Sequence, residues 1–232
     1  SAWKSQLEAA LRRIEINLKE LYPLPLGGTA IGTGLNTPEN FDNLIALDIA
    51  RETNLPFETA TNKFAIMASH DGLVNIMSQL KLLSVTLLKI VNDLRLLSCG
   101  PRAGLSELQL PANEPGSSIM PGKINPTQCE AMAMVCTQII GMDTSVSIAG
   151  SGGHLQMNVY KPLIGYNILK SINLIQNSCK SCRENMIEGI QPNKAKIKQY
   201  LENSLMLVTA LAPSIGYEKA SEIAQLAHKK NL

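Results

Sequence analysis

Two serines, a lysine and an asparagine lie close together in the segment 116–126, which reads Gly-Ser-Ser-Ile-Met-Pro-Gly-Lys-Ile-Asn-Pro. Hydroxyl, ammonium and amide groups are the donors that bind carboxylates and phosphates in proteins. Proline and glycine recur through the segment, and neither residue suits a helix interior or a central strand. We therefore expect an ordered loop that acts as a mobile lid and holds an anion.

A helix is expected to begin directly after this loop. Asn125 stands at the N-cap position, Pro126 at the first helical position and Gln128 at the third, which is a capping arrangement. The unpaired amides of a helix start attract carboxylates and phosphates. The same residues also fit an ordinary loop between helices, in which Asn125 is a cap and nothing more.

The segment 116–126 resembles the signature loop of the fumarase/aspartase superfamily. Its flanks, Asn-Glu-Pro-Gly at 113–116 and Asn-Pro-Thr-Gln-Cys-Glu-Ala at 125–131, resemble the class II fumarase branch. Aspartases share the central loop but usually lack the Asn-Glu-Pro before it and the Thr-Gln-Cys after it. The glycine-rich stretch 26–36 resembles both branches, whereas 203–211 favours fumarase. The resemblance covers nearly the whole chain.

The resemblance assigns roles to six residues. Ser117 matches the catalytic base, and Glu130 matches a glutamate that pairs with a histidine of another chain and takes part in acid chemistry. The substrate-binding positions are Ser118, Lys123, Ile124 and Asn125. Glu130 also has a structural interpretation, because a carboxylate near a helix start complements the helix dipole.

The resemblance implies a lyase that adds water reversibly to fumarate in the anti sense, giving malate, as in the tricarboxylic acid cycle. It implies neither metal nor organic cofactor, and a homotetramer whose active sites are shared between chains. Two alternatives stay open. One is aspartate ammonia-lyase of the same superfamily, in which the string Gly-Pro-Arg-Ala-Gly-Leu at 100–105 is equally at home. The other is a non-catalytic helical oligomerisation fragment.

Apolar residues recur at three- and four-residue steps along most of the chain, which predicts an all-α protein built from long helices. The expected helices cover 3–22, 37–52, 69–98, 126–148, 157–187 and 194–211. Helices of this length in a chain of this size predict packing against partner subunits, although an elongated monomeric bundle is also compatible. The resemblance implies five long helices per chain that join a twenty-helix tetramer core.

We expect residues 1–232 to be the central helical domain of a longer enzyme, without the N-terminal and small C-terminal domains of the family. The Thr-His motif that the family uses for acid chemistry has no match here. His70, His154 and His228 are more simply explained as surface or packing residues. The 232-residue chain alone is therefore predicted to be inactive.

The composition of the chain limits the partners and the cellular compartment that we expect for it. A net charge of +2 predicts no nucleic-acid partner, and no uninterrupted apolar run approaches the ~18 residues of a membrane span. The chain starts without a hydrophobic signal core, which indicates processing or truncation rather than export. Five cysteines cannot all pair internally, so we expect a reducing compartment, the cytoplasm or the mitochondrial matrix. Cys179-x-x-Cys182 is more simply two helix residues than a redox or zinc motif.

Overall fold

The computed structural model describes residues 2–114 and 116–231, and it divides into two compact units. The first unit contains residues 1–92 and 127–183, and the second contains 93–126 and 184–232. Helices dominate both. They are α1 (Ala2–Asn17), α2 (Phe41–Thr53), α3 (Lys63–Ala68), α4 (Asp71–Ser98), α5 (Thr127–Gly150), α6 (Lys161–Asn185), α7 (Lys194–Glu202), α8 (Ala212–Ile215) and α9 (Tyr217–Lys230).

The strands are short and pair locally. In the first unit β1 (Pro23–Leu24) runs parallel to β2 (Glu58–Thr59), and in the second β3 (Leu108–Gln109) runs antiparallel to β4 (Gln191–Pro192). Each contains two residues, so the strands act as clips between loops rather than as a structural layer. The predicted all-α fold of long helices is confirmed.

The core of the first unit lies between α5 and its neighbours. Buried side chains recur along α5 at intervals of three and four residues, as expected for a helix that packs on one side: Cys129, Met132, Cys136, Ile139, Met142, Asp143, Val146 and Ala149. Two side-chain contacts set the antiparallel register of α6 on α5. The Ser181 hydroxyl donates to Gln128 Oε1 at 2.8 Å, and the Ser171 hydroxyl approaches Met142 Sδ at 3.4 Å.

An ion pair between a half-exposed lysine and a buried aspartate joins α4 to α5. Lys81 Nζ lies 2.6 Å from Asp143 Oδ2, and the Ser78 hydroxyl donates to Asp143 Oδ1 at 3.3 Å. The Asp143 side chain is only 7% exposed. A buried carboxylate is tolerated only with such donors, because burial removes its hydration.

Several helix boundaries differ from the sequence-based prediction. The first helix ends at Asn17 rather than near residue 22 and is followed by a 3-10 turn, Leu18–Leu21. The second helix begins at Phe41 rather than Thr37, because Asn40 adopts a left-handed conformation with φ 59°. The helix predicted over 157–187 begins at Lys161, since the preceding residues form a loop held by Asn158. The helix predicted over 194–211 ends at Glu202 and gives way to a 3-10 turn, Leu205–Ala210.

Asn158 is a fully buried residue that joins three helices of the first unit. Its Nδ2 donates to the carbonyl of Ala149 at the end of α5, and its Oδ1 accepts from the Tyr160 amide before α6. Its own carbonyl accepts from Lys161 Nζ at 2.9 Å and lies 3.3 Å from His70 Nε2, just before α4. Burial lowers the pKa of His70, so the imidazole is neutral at pH 7 and serves packing.

Two helices, α4 and α5, are long and apolar enough to cross a membrane by length and composition. The expectation that no stretch approaches this limit is therefore wrong on those criteria. It relied on uninterrupted apolar runs, whereas average hydropathy tolerates scattered polar residues such as Lys81. Core helices of soluble proteins pass the same test, and both helices have a face buried inside the first unit.

Replacing Lys81 by methionine should lower the free energy of unfolding by about 1–3 kcal/mol, because Asp143 then stays buried with the Ser78 hydroxyl as its remaining donor. Urea unfolding followed by far-UV circular dichroism measures the change. Lys4→Met is the matched control, since it breaks the exposed Lys4–Glu8 pair and should cost less than about 0.5 kcal/mol. Equal losses in the two variants would contradict a supporting role for the Lys81–Asp143 pair.

Candidate active site

The predicted loop lies in the second unit and starts from a fixed stem. The β3–β4 ladder pairs Gln109 with Gln191, and the Asn193 amide donates to the Glu107 carbonyl at 2.8 Å. Pro115, one of the prolines in the predicted motif, lies outside the described residues. From residue 116 onward the structure describes the loop continuously as far as α5.

A tight turn brings Lys123 to the surface of the loop. The Lys123 amide donates to the Met120 carbonyl at 3.2 Å, and Gly122 has φ +79°. Proline at the second position and glycine with positive φ at the third are typical of a type II turn. Lys123 and Ile124 are exposed, so their side chains are accessible to a ligand.

Two backbone amides point at the side-chain oxygen of Ser117. The amides of Ile119 and Met120 donate to Ser117 Oγ at 3.2 and 3.3 Å. Ser117 is partly buried and Ser118 is exposed. Donors directed at an oxygen stabilise the charge that develops on it when its proton leaves. The loop thus directs two backbone donors at the Ser117 oxygen.

Asn125 closes the loop on itself. Its Nδ2 donates to the Gly116 carbonyl, nine residues earlier in the chain. The two ends approach so closely that a Cβ atom on Gly116 would overlap the Lys123 carbonyl oxygen. Only glycine fits at this position, which explains the residue that precedes the serine pair. Ser117 and Lys123 thus lie in one closed ring of residues, which we call the closed loop (116–125).

Glu130 lies in the first turn of α5 and is partly buried. That helix begins at Thr127, one residue after the predicted first helical position. Glu130 belongs to the first unit, whereas the other five predicted site residues belong to the second. The structure thus brings five of the six predicted residues into one loop, and places Glu130 on the helix that follows it.

The glycine-rich segment is a compact turn in the first unit. Gly32, with φ +109°, packs against the backbone of Phe64, and Gly27 packs against Asp42. Lys63 Nζ lies 2.7 Å from Asp42 Oδ2, and this ammonium holds the pKa of Asp42 below its usual value. Gly27, Gly32, Asp42 and Lys63 are among the residues that line a polar cavity of about 280 Å³. The glycines serve turns and close packing.

The cysteines are free thiols. Burial raises the pKa of Cys136 to about 12 and that of Cys182 to about 11, with a further contribution from neighbouring thiols. Burial also raises the pKa of Cys179. Since the thiolate is the form that attacks disulfides and binds metals, these thiols are unreactive at neutral pH. No group of three metal-ligating side chains occurs within residues 2–114 and 116–231.

Two family models match the chain. The model described as "Lyase" matches residues 1–141, and the model described as "Fumarase C C-terminus" matches residues 207–232. A class II fumarate hydratase of Prochlorococcus marinus is 70% identical over 232 residues, which are 100% of this chain and 50% of the relative. A mitochondrial fumarate hydratase of Dictyostelium discoideum is 54% identical over 230 residues, 99% of this chain and 47% of the relative.

Solved structures agree with the sequence relatives. A class II fumarase from Schistosoma mansoni superposes with a TM-score of 0.97 at 42% identity, covering 100% of this chain and 51% of that one. A fumarate lyase:delta crystallin from Brucella melitensis, bound to cobalt, superposes with a TM-score of 0.95 at 38% identity, covering 99% and 50%. The chain spans about half the length of the curated relatives that it matches.

Proposed function

The chain belongs to the lyase family, within the fumarase/aspartase superfamily, and from this premise we propose that it contributes the signature loop to a class II fumarate hydratase. The reaction is the reversible anti addition of water to fumarate, which gives malate. The pair of amides that donate to Ser117 Oγ carries this proposal, because a serine needs such donors to act as a base. The identity of 70% to a class II fumarate hydratase supports the substrate.

In the direction of dehydration, Ser117 removes a proton from C3 of malate, and its oxygen is stabilised by the Ile119 and Met120 amides. The C–H electron pair moves into the adjacent carboxylate, which becomes the doubly charged aci-carboxylate. The acid then protonates the C2 hydroxyl, which leaves as water while the electron pair of the aci-carboxylate forms the C2–C3 double bond of fumarate. Ser117 is thus the catalytic base, and the remaining polar groups of the loop serve the carboxylates.

Lys123 and Asn125 bind the substrate carboxylate that gains charge during the reaction. The Lys123 ammonium is exposed at the turn, and a charge-assisted hydrogen bond is about twice as strong as a neutral one. Its attraction to the aci-carboxylate exceeds its attraction to the ground-state carboxylate, so it stabilises the transition state more than the substrate. Ser118 and Ile124, both exposed on the same loop, complete the proposed binding surface.

The acid in this proposal comes from elsewhere in the assembly. Glu130 would pair with a histidine of another chain, and the residues 1–232 lack the Thr-His motif of the family. The proposal therefore includes an oligomer, a homotetramer with active sites shared between chains. It requires neither a metal nor an organic cofactor.

The exposed face of α5 supports such an assembly. Met134 and Ile148 are each 68% exposed. The exposed residues of this helix carry no charge: Ala131, Met134, Thr137, Gln138, Gly141, Thr144, Ser145, Ser147 and Ile148. The cores of protein interfaces are depleted of charged residues, whereas a solvated helix face normally carries them. We infer that this face packs against another copy of the chain.

The proposed compartment is the cytoplasm, or the mitochondrial matrix if the source is eukaryotic. Bacterial relatives and a mitochondrial relative both support a reducing compartment. The free cysteines agree with it.

The catalytic activity of this chain can be assayed in a chimera. In it, this chain replaces the half of the Prochlorococcus marinus relative that it matches at 70% identity. We expect the chimera to interconvert malate and fumarate and to leave aspartate unchanged. Release of ammonia from aspartate would instead support the aspartate ammonia-lyase alternative.

Ser117→Ala in the chimera should lower kcat for malate by at least ~100-fold, the low end for loss of a positioned base. Ser118→Ala is the matched control. It removes a substrate contact without removing the base, so it should act mainly by raising KM. A Ser117→Ala chimera with near-normal kcat and an intact circular dichroism spectrum would exclude Ser117 as the base.

Lys123→Met in the chimera keeps the aliphatic stem and removes the charge. We expect weaker inhibition by unreactive dicarboxylates and a lower kcat, because the ammonium contacts both the carboxylate and the aci-carboxylate. Inhibition constants and initial rates measure the two effects. Unchanged inhibitor affinity would place Lys123 outside the substrate site.

A further inference from the structure

A side-chain hydrogen bond within the second unit ties the stem of the loop to the last residue of α6. Asn113 Nδ2 donates to the carbonyl of Asn185, the last residue of α6, at 2.7 Å. Carbonyl groups in the last turn of a helix have no partner within the helix, so they accept readily from side chains. The bond spans 72 positions in the sequence. It is a tether between segments rather than part of a local turn.

A close contact at Pro111 and the β3–β4 ladder also hold this stem within the second unit. Gly189 lies so close to Pro111 that an added Cβ would approach Pro111 Cγ to 2.5 Å. The β3–β4 ladder precedes this contact. Among these attachments, the Asn113 bond lies nearest in sequence to the closed loop (116–125).

The closed loop is held within itself by other bonds. Asn125 bonds to the Gly116 carbonyl, and the Ser117 oxygen receives its donors from Ile119 and Met120. None of these bonds attaches the loop to α6. Gly116 lies three positions after Asn113, a span of at most about 11 Å, so the tether limits where the loop as a body can move.

We propose that Asn113 is a positioning residue for the reaction: its amide holds the stem to α6 and thereby places the preformed Ser117 site against the substrate. This inference depends on the proposed function. Asn113 itself makes no contact with substrate. Its effect is geometric, since a misplacement of about 1 Å in an active site costs about 100-fold in rate.

Asn113→Asp in the chimera is the sharpest test, because it keeps the shape and replaces the donor by an acceptor that repels the Asn185 carbonyl. We expect kcat for malate to fall at least ~10-fold, consistent with that geometric sensitivity. Hydrogen exchange should accelerate at residues 107–114 and stay unchanged at the Ile119 and Met120 amides. Asn113→Gln keeps the amide donor and should retain kcat within about threefold of the parent.

Asn17→Asp is the matched control. Asn17 Nδ2 donates to the Arg13 carbonyl, also at 2.7 Å and exposed, at the end of α1 and far from the loop in sequence. Loss of the hydrogen bond from Asn17 to the Arg13 carbonyl should leave kcat unchanged. If the parent chimera is active, a decrease in kcat of twofold or less in Asn113→Asp would overturn the inference. Equal decreases in kcat in the Asn113→Asp and Asn113→Gln variants would also overturn it. An inactive parent would overturn the proposed function, and the inference with it.

Discussion

A serine hydroxyl ionises near neutral pH only where its alkoxide is stabilised more strongly than in water, so the proposed chemistry depends on the donors around Ser117 Oγ. Two backbone amides point at that oxygen, at 3.2 and 3.3 Å. The donors lie only two and three positions after Ser117, so the contacts are local to the loop. The same loop reverses at Pro121 and Gly122 and closes through the bond from Asn125 to the Gly116 carbonyl. Glycine at 116 is the steric condition for that closure.

The second unit holds the stem of this loop. The β3–β4 ladder and the Asn113 bond attach the stem within that unit. In the proposed function, a loop whose stem is already fixed loses less conformational entropy when substrate binds, which favours preorganised catalysis.

Periodicity predicted the long helices well, because apolar residues at three- and four-residue steps describe a buried stripe such as that of α5. It misplaced the helix boundaries near Asn40 and Asn158, where an asparagine backbone or side chain competes with the helix. The loop was recognisable from its residue types, and a serine base requires stabilising donors. Which backbone amides approach the Ser117 oxygen could not be predicted, since backbone donors leave no trace in a sequence. The Asn113–Asn185 tether was equally hidden, because sequence patterns do not show contacts between distant residues. The roles of Ser117, Ser118, Lys123, Ile124, Asn125 and Glu130 stay predictions.

The central claim is that this chain supplies the Ser117 loop to an active site whose general acid is supplied by residues outside this chain. Subunit exchange between this chain and the Ser117→Ala chimera tests it most directly, with malate turnover as the readout. Each protein alone should be inactive, and the mixture should gain activity, because one chain brings the Ser117 loop and the other brings the acid. A mixture as inactive as its components, or substantial turnover by this chain alone, would contradict the claim.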